Sequence, residues 1–350
     1  MFFGAKDIIG LDIGSRHIKV VQLKESKGSH RLERLGIATL QPELIVDGSI
    51  LDSTRVVDAV KELISNTGIK TKDVTLSVSG HSSVIIKRVS LPQMTEEELD
   101  EQIRFEAEQY IPFDIEDVSL DFQILGPAEE ENMMDVLIVA VKKDKIGEYV
   151  TVARDAGLNP VIVDVDAFAL ENMYELNYEF KEGENIALVN IGASMININI
   201  LKGGISVFTR DSSVGGNLLT EALQREFTIS HANAEKLKHE EAIEGVSPEE
   251  AKAVLSSAFE DIVSEISRSF DYFRDTTNYE NIDQIILSGG VALTKDFASS
   301  LSDRVGVPVS IADPFKNISV PDSFDQEYLK KVSPLVSVAV GLAMRKVGDK

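Results

Sequence analysis

The stretch that decides the fold is 8–23, IIGLDIGSRHIKVVQL. Its first part is an apolar run that ends on the carboxylate of Asp12, and Gly14 and Ser15 then turn the chain. In the second part, apolar residues lie among polar ones, which is typical of a strand with one buried face. The stretch therefore predicts a β-hairpin with a glycine turn and a carboxylate beside it.

A similar stretch follows at 187–201, ALVNIGASMININIL. Asn190 and Gly192 stand 178 residues after Asp12 and Gly14, with no gap between the two copies. The apolar positions of the outgoing strand match at the same offset. This internal duplication predicts two related halves, each of which opens on a glycine hairpin that faces one shared site.

Composition narrows the class of protein. A chain of 350 residues has room for two ordinary domains, and the absence of cysteine excludes disulfides and zinc–cysteine sites. The net charge of −23 argues against general nucleic-acid binding and against direct adsorption to anionic lipid. No apolar run reaches the roughly 18 residues of a membrane span, and residues 1–7 are too short and too soon charged for a signal peptide. We expect a cytoplasmic α/β protein.

Strand and helix patterns alternate along the chain. Helical spacing covers 55–65, and the pairs Thr95 with Glu98 and Ser247 with Glu250 predict two capped helix starts. The strand, helix and strand of 135–165 are predicted to form a right-handed crossover. The predicted divisions are a first half (1–80), an inserted strand–helix unit (81–165), a connecting helix (166–183), a second-half core (184–210 and 281–325), a helical unit (211–280) and a C-terminal connecting helix (326–350).

The two hairpin turns carry the predicted chemistry. Both 14–16 and 192–194 can present backbone N–H groups and hydroxyls to phosphate oxygens, because glycine permits close approach of a ligand. Asp12 is placed to hold a hydrated Mg²⁺, and Lys19 is placed to reach a phosphate. Two ordinary hairpins are the alternative, but the shared register favours a ligand between them.

Other turns are less specific. The glycines of 288–290 allow an adenine or ribose to lie against the backbone, and 215–216 opens a helix. Asp166 begins a helix, where a carboxylate either orients an attacking water or simply caps the helix. Glu235 and Lys238 either flank a nucleoside or belong to a surface helix.

Together these features resemble the superfamily of actin, the heat-shock chaperone ATPases and the sugar kinases. The position of the insertion resembles that of the FtsA cell-division family. A more specific resemblance is to the PilM family of type IV pilus assembly proteins, through LPQM, EAEQYIPF, LDF and VDVDAFA. These motifs lie at 91–94, 106–113, 120–122 and 163–169.

The resemblance implies an actin-like fold of two duplicated halves with an FtsA-type inserted subdomain. It also implies a cytoplasmic protein that binds ATP or ADP with Mg²⁺ at the inner face of the inner membrane. It would bind the cytoplasmic N-terminal tail of the membrane protein PilN, in a groove between the inserted unit and the first half. No membrane insertion of its own is implied, and other pilus components and self-association stay open.

By family pattern, Glu235 and Lys238 match ribose and adenine contacts, and Asp166 matches the position of a water-orienting side chain. The candidate cofactor-binding residues are Asp12, Gly14, Ser15, Arg16, Lys19, Asn190, Gly192, Ala193, Ser194, Gly215, Gly216, Glu235, Lys238, Gly289 and Gly290, with Asp12 also the candidate metal ligand and Asp166 the candidate catalytic residue.

Two departures from the superfamily pattern concern hydrolysis. Asn190 replaces an aspartate of the second hairpin, and the glycine after the adenosine turn is replaced near Lys295 and Asp296. We therefore predict nucleotide binding with slow hydrolysis or none. The alternatives are an FtsA-like ATPase or filament-forming scaffold, and a small-molecule kinase. The segment 344–350 directly follows the last predicted helix, which argues against an FtsA-type membrane anchor.

Overall fold

The computed structural model describes residues 8–181, 183–277 and 281–349. The prediction about a signal peptide in 1–7 lies outside this part. The strands are β1 (Ile9–Ile13), β2 (His17–Ser26), β3 (Ser29–Thr39), β4 (Ile45–Val46), β5 (Ser49–Ile50), β6 (Asp73–Val78), β7 (Val84–Pro92), β8 (Val118–Pro127), β9 (Met133–Lys142), β10 (Asn159–Val165), β11 (Asn185–Ile191), β12 (Ile196–Lys202), β13 (Ile205–Ser212), β14 (Gln284–Ser288), β15 (Val309–Ile311) and β16 (Ile318–Ser319). The helices are α1 (Ser53–Thr67), α2 (Glu96–Ala107), α3 (Lys143–Asp155), α4 (Asp166–Asn177), α5 (Asn217–Phe227), α6 (His231–Lys238), α7 (Pro248–Thr276), α8 (Phe297–Val305), α9 (Gln326–Val332) and α10 (Ser337–Leu342).

Two large sheets form the two halves. The first has six strands in the order β10-β6-β1-β2-β3-β16, and the second has five in the order β13-β12-β11-β14-β15. In each, the strand that opens the half pairs antiparallel with the next strand and parallel with a later one: β1 with β2 and β6, β11 with β12 and β14. The predicted two-half α/β architecture is confirmed.

The duplication is visible in the register of the hairpins. Asp12 pairs with Lys19 across the first hairpin, and Asn190 pairs with Asn197 across the second. Both members of the second pair stand 178 residues after their counterparts. The copies therefore agree residue by residue along both strands.

Capping residues set the starts of the helices. The capping boxes predicted at Thr95 and Ser247 are both formed, at the starts of α2 and α7. The helix predicted over 55–65 is α1, which is longer because the Asp52 side chain accepts from the Arg55 backbone N–H and Gly68 ends it at φ 68°.

Two helices connect the halves. Helix α4 follows β10 and packs on β12, while α10 packs on α4, β1 and β2. The contacts need glycine: a Cβ on Gly341 would lie 1.7 Å from the Ala169 carbonyl oxygen, and one on Gly10 would lie 2.2 Å from the Ala339 carbonyl oxygen. This close packing places the two sheets side by side with their hairpin turns facing each other.

The predicted crossover within 135–165 is wrong. Strand β9 belongs to a separate three-stranded sheet, β7-β9-β8, whereas β10 pairs with β6 in the first sheet. Helix α3 packs on α1, β6 and β10, because its apolar face of Tyr149, Val152 and Ala153 completes the core of the first half. The division into subdomains stays a prediction, and we propose to narrow the inserted unit to 84–142.

The C-terminal segment also differs in detail from its prediction. A 3₁₀ turn, Ser333–Val336, precedes α10, which begins at Ser337. None of the helices in the described ranges combines the length and the apolar composition that a bilayer-spanning helix needs.

Candidate functional site

The turns of the two hairpins face each other across a cavity of about 200 Å³ between the halves. They touch at one point, where the Ser15 and Ser194 hydroxyl oxygens lie 2.6 Å apart. Every candidate residue predicted from the sequence lines this cavity except Gly215. The structure thus brings together residues that stand far apart in the chain.

The first hairpin is charged. The ammonium of Lys19 lies 2.9 Å from Asp12 Oδ2, and both side chains are largely buried. Burial raises the pKa of the Asp12 carboxyl; Lys19 opposes this increase and the nearby Asp166 adds to it. The backbone N–H of Gly14 donates to the His17 carbonyl at 3.1 Å and closes the turn.

The second hairpin is neutral at the equivalent positions. The Asn190 amide donates to Asn197 Oδ1 at 3.1 Å and accepts from the Ser288 hydroxyl at 3.2 Å. A carboxylate appears one strand further on, since the Asn197 amide donates to Asp211 Oδ1 at 2.8 Å. The charge that the first hairpin carries on its own ladder is thus displaced to β13.

Asp211 also links the halves. Its Oδ2 accepts from the backbone N–H of Gly80 at 2.7 Å, and burial raises the pKa of its carboxyl. Sequence reasoning missed both Asn197 and Asp211. The duplication could have identified Asn197, which is the counterpart of Lys19, but no motif marks Asp211.

Asp166 is the first residue of α4 and lines the cavity. Its Oδ1 accepts from the Ser77 hydroxyl at 2.5 Å. The N-cap is Val165, and no side chain caps this helix, so the capping alternative for Asp166 is wrong. Ser77, near the end of β6, is a further residue that the sequence did not single out.

The oxygen atoms on this wall fit Mg²⁺. Asp12, Asp166 and Ser77 all line the cavity, and Mg²⁺ prefers one or two carboxylates together with phosphate oxygens and water. Within the described ranges, no group of three or more His, Cys, Asp or Glu side chains is assembled for a metal. The donor set therefore suits Mg²⁺ that arrives with a phosphate better than Mg²⁺ alone.

Helix α6 supplies the other end of the cavity. Glu235 Oε1 accepts from the Lys238 ammonium at 2.5 Å and from the Thr220 hydroxyl at 2.5 Å. Burial alone would raise the pKa of Glu235, but Lys238, Thr220 and Arg16 together lower it to about 2. Burial lowers the pKa of the Lys238 ammonium, and Glu235 opposes that change. This ion pair offers a carboxylate to hydroxyl donors and an ammonium to ring or hydroxyl acceptors.

An ion pair crosses the mouth of the cleft. Arg16 Nε, on the first hairpin, lies 3.8 Å from Glu235 Oε2 in the second half. His17 is also in the wall, and burial together with the nearby Lys19 and Arg16 lowers its pKa to about 3. The imidazole is therefore neutral at physiological pH and adds no charge to the site.

The glycine turn after β14 packs directly on the second hairpin. Gly289 has φ 85°, and a Cβ there would lie 2.3 Å from the Ile191 carbonyl oxygen. Only glycine fits this position, so Gly289 and Gly290 offer bare backbone to the cavity. Asp296, where the superfamily pattern has a glycine, takes the left-handed conformation at φ 65°.

Gly215 and Gly216 support the second hairpin from outside. The backbone N–H of Gly216 donates to the Gly192 carbonyl at 2.9 Å. A Cβ on Gly215 would lie 2.6 Å from the Ala193 carbonyl oxygen. Gly215 therefore holds the turn in place rather than lining the cavity.

The cavity suits a polyanion with a polar head. It combines two glycine turns with the cations of Lys19, Arg16 and Lys238. At about 200 Å³ it is smaller than usual small-molecule sites, which measure about 300–1,000 Å³. The Ser15–Ser194 and Arg16–Glu235 contacts close it, so a ligand of nucleotide size requires these contacts to separate.

Solved structures of known proteins share this architecture. The chain is 27% identical to a structure described as a PilM-PilN type IV pilus biogenesis complex, with a TM-score of 0.85 over 98% of this chain and 99% of that one. It is 15% identical to the ethanolamine utilization protein EutJ from Carboxydothermus hydrogenoformans, with a TM-score of 0.57 over 96% of this chain and 89% of that one. It is 16% identical to MreB5 of Spiroplasma citri bound to ADP, with a TM-score of 0.55 over 96% and 94% of the two chains. The fold is that of the actin-like ATPases.

A family model completes the assignment. Residues 10–347 match the model described as type IV pilus assembly protein PilM. The match covers both hairpins, the inserted sheet and both connecting helices, and the PilM resemblance inferred from the sequence motifs is confirmed. The chain belongs to the PilM family of type IV pilus assembly proteins.

Proposed function

We propose that the chain binds ATP or ADP with Mg²⁺ in the cavity between the hairpins. The observation that carries this proposal is the meeting of two glycine turns in identical register around one basic cavity. Glycine turns with free N–H groups and nearby cations are a common way of holding phosphates. Asp12 and Asp166 would hold Mg²⁺, which would neutralise phosphate charge, and Glu235 and Lys238 would bind the nucleoside.

Hydrolysis is proposed to be slow or absent. In the second hairpin the Asn190 amide is engaged with Asn197 and Ser288, and it adds no negative charge beside Mg²⁺. Asp166 is the candidate that would orient a water, but it accepts from Ser77. A turnover of roughly 1 s⁻¹ or faster, as in ordinary ATPases, would contradict this part of the proposal.

We further propose that the chain is an adaptor of the type IV pilus inner-membrane complex, which binds the cytoplasmic N-terminal tail of PilN. This rests on the 27% identity over nearly the whole chain to the PilM-PilN complex. Location at the inner face of the membrane would then follow from the partner. The tail would bind in a groove between the inserted sheet and the first half, as an added strand or in an apolar cleft.

The nucleotide proposal is tested by calorimetric titration of the purified chain with ATP and ADP in Mg²⁺. Lys238→Met is expected to weaken both nucleotides, because the ammonium lies at the nucleoside end of the cavity. Lys236→Met is the matched control, since Lys236 is on the same helix with its side chain exposed. A wild-type chain that binds neither nucleotide would overturn the proposal.

The partner proposal is tested separately with a peptide of a PilN cytoplasmic tail and a scrambled peptide of the same composition. The expected result is saturable binding of the tail alone. Equal binding of both peptides would indicate a nonspecific charge effect, and absence of binding to either would contradict the adaptor role.

A further inference from the structure

A buried lysine lies behind the wall of the cavity. Lys145, on α3, is only 5% exposed, and its ammonium donates to the carbonyl oxygen of Gly48. The Tyr149 hydroxyl donates to the same carbonyl at 2.9 Å, and the ammonium lies 4.8 Å from the centre of the Tyr149 ring. The sequence gave no reason to single out any of these three residues.

The charge of this lysine is not neutralised by a direct partner. Across the described ranges, no carboxylate lies within 4.0 Å of its ammonium, and the only hydrogen-bond acceptor it reaches is the Gly48 carbonyl. An ammonium has three donors, so two remain. A buried charge without a counter-charge is costly and is seldom retained for packing alone. The arrangement calls for an anion that the protein itself does not supply.

The position of Lys145 indicates where such an anion would lie. Gly48 and Tyr149 line the cavity together with Asp12 and Asp166. Asp166 is close enough to influence the titration of both Lys145 and Tyr149. Lys145 is thus behind the Mg²⁺ end of the cavity, away from the ion pair of α6.

The same wall reaches the second hairpin. A Cβ placed on Gly48 would lie 2.8 Å from the Lys145 ammonium and 3.8 Å from the Met195 methyl carbon. Met195 follows the second turn directly and also lines the cavity. A phosphate chain held between the turns would therefore have its terminal group nearest to Gly48 and Lys145.

We propose that Lys145 binds the γ-phosphate of ATP and makes the site prefer a triphosphate to a diphosphate. This inference rests on the proposed nucleotide binding and names the residue that distinguishes the two nucleotides. A second donor of the ammonium would reach the terminal phosphate while the first stays on the Gly48 carbonyl. Because Lys145 is on α3 and Gly48 is between β4 and β5, the γ-phosphate would also fix these elements of the first half.

A purely structural role makes a different prediction. If Lys145 only anchored the Gly48 loop, its loss would affect ATP and ADP alike. Tyr149 anchors the same carbonyl without a charge, so Tyr149→Phe is the matched control for loop position.

The experiment measures ATP and ADP affinities of the full chain by calorimetry in Mg²⁺. Lys145→Met is expected to weaken ATP by about tenfold to a hundredfold, as for the loss of a charged hydrogen bond, and ADP by less than about twofold. Lys145→Gln keeps a donor for the Gly48 carbonyl and is expected to show the same selective loss, which covers the case in which the methionine variant does not fold. Any loss in Tyr149→Phe is expected to fall equally on the two nucleotides.

An unchanged ratio of ATP to ADP affinity in both Lys145 variants would overturn the inference and leave the proposed function standing. A wild-type chain that binds neither nucleotide would overturn both. Selective loss of ATP in Tyr149→Phe as large as in Lys145→Gln would also contradict the inference, because it would assign the effect to the loop.

Discussion

The two hairpins share their geometry and differ in their charge. In the first, an ion pair of Asp12 and Lys19 spans the ladder, and in the second two asparagines take the same two positions. The backbone register is retained because a slip by one residue would turn every buried side chain of the strands outward. Charge is free to change between the copies. The duplicated frame is thus symmetric, whereas the chemistry it presents is concentrated on one side.

The difference extends to the helices that cover the hairpins. Val21 on β2 corresponds to Asn199 on β12, 178 residues later. Val21 is buried in the apolar cluster that includes α10, whereas the Asn199 amide donates to the Ala167 carbonyl at 3.0 Å and to Glu171 Oε2 at 3.2 Å on α4. One half is held by close apolar packing and the other by a polar network.

The largest expected effect breaks the close packing of the first half. Gly10→Ala would place a Cβ 2.2 Å from the Ala339 carbonyl oxygen and 2.6 Å from the Ala343 backbone nitrogen. Leu188 is the counterpart in the second half, where a large side chain is accommodated. We expect a loss of about 3 kcal/mol in the free energy of unfolding, measured by urea denaturation.

Gly147→Ala is the control for this prediction. A Cβ on Gly147 would meet no atom within 4 Å, and the residue lies within α3. Its replacement is expected to stabilise the chain by about 0.5–1 kcal/mol. A loss of less than about 1 kcal/mol in Gly10→Ala would show that α10 can shift away from β1.

The next effect exchanges the charges of the hairpins. Asp12→Asn gives the first hairpin the side chain of the second, removes a proposed Mg²⁺ ligand and leaves Lys19 without its partner. We expect ATP affinity in Mg²⁺ to fall about tenfold to a hundredfold, measured by calorimetry with and without the metal.

The reciprocal change is Asn190→Asp, which restores the charge of the superfamily pattern. It is expected to increase both the Mg²⁺ dependence of binding and the rate of ATP hydrolysis, measured as phosphate release. An Asp12→Asn chain that keeps its Mg²⁺-dependent affinity would show that the charge asymmetry of the hairpins has no role in binding.

The polar network on α4 makes stability depend on pH. Burial raises the pKa of the Glu171 carboxyl to about 7; the Asn199 hydrogen bond opposes this, and Glu175 and Asp164 add to it. The folded state therefore favours the protonated carboxyl. This contribution is complete below the ordinary pKa of 4.5 and is lost as pH rises through about 7.

Glu171→Gln keeps the shape without the titration. Relative to wild type, its free energy of unfolding is expected to be about 1–2 kcal/mol more favourable at pH 8 than at pH 5, after allowance for partial exposure. Glu175→Gln, an exposed change on the same helix, is the control. A difference that is independent of pH would refute the assignment to Glu171.

The smallest expected effect concerns the point where the hairpins touch. A double-mutant cycle of Ser15→Ala and Ser194→Ala, measured on unfolding without nucleotide, is expected to give a coupling energy of about 0.5–1 kcal/mol. Saturating nucleotide is expected to remove this coupling, because the ligand separates the two hydroxyls. A coupling that persists with nucleotide bound would place the ligand elsewhere.

The hairpins were predictable from the sequence because their signal is local and repeated. A glycine turn after a buried strand recurs at a fixed offset, and the structure has the same register in both copies. The PilM motifs extended the prediction to the inserted sheet. The type of each element was also local, since capping boxes and apolar spacing depend on near neighbours.

The rest of the site depends on contacts between distant segments. Gly48, Tyr149 and Asp211 enter the cavity from a loop, a helix and an edge strand, and none belongs to a motif. The crossover predicted within 135–165 failed for the same reason. Periodicity identifies a strand, but it does not indicate which sheet the strand joins.

The cover of β1 has a consequence for the order of events during synthesis. Strand β1 is made first, yet α10, which packs on it, is made last, and β16 completes the same sheet from residues 318–319. The first half therefore cannot close while the ribosome is still translating the second. We expect nascent chains to expose the apolar surface around Gly10 until synthesis ends, which makes folding slow and favours transient chaperone binding.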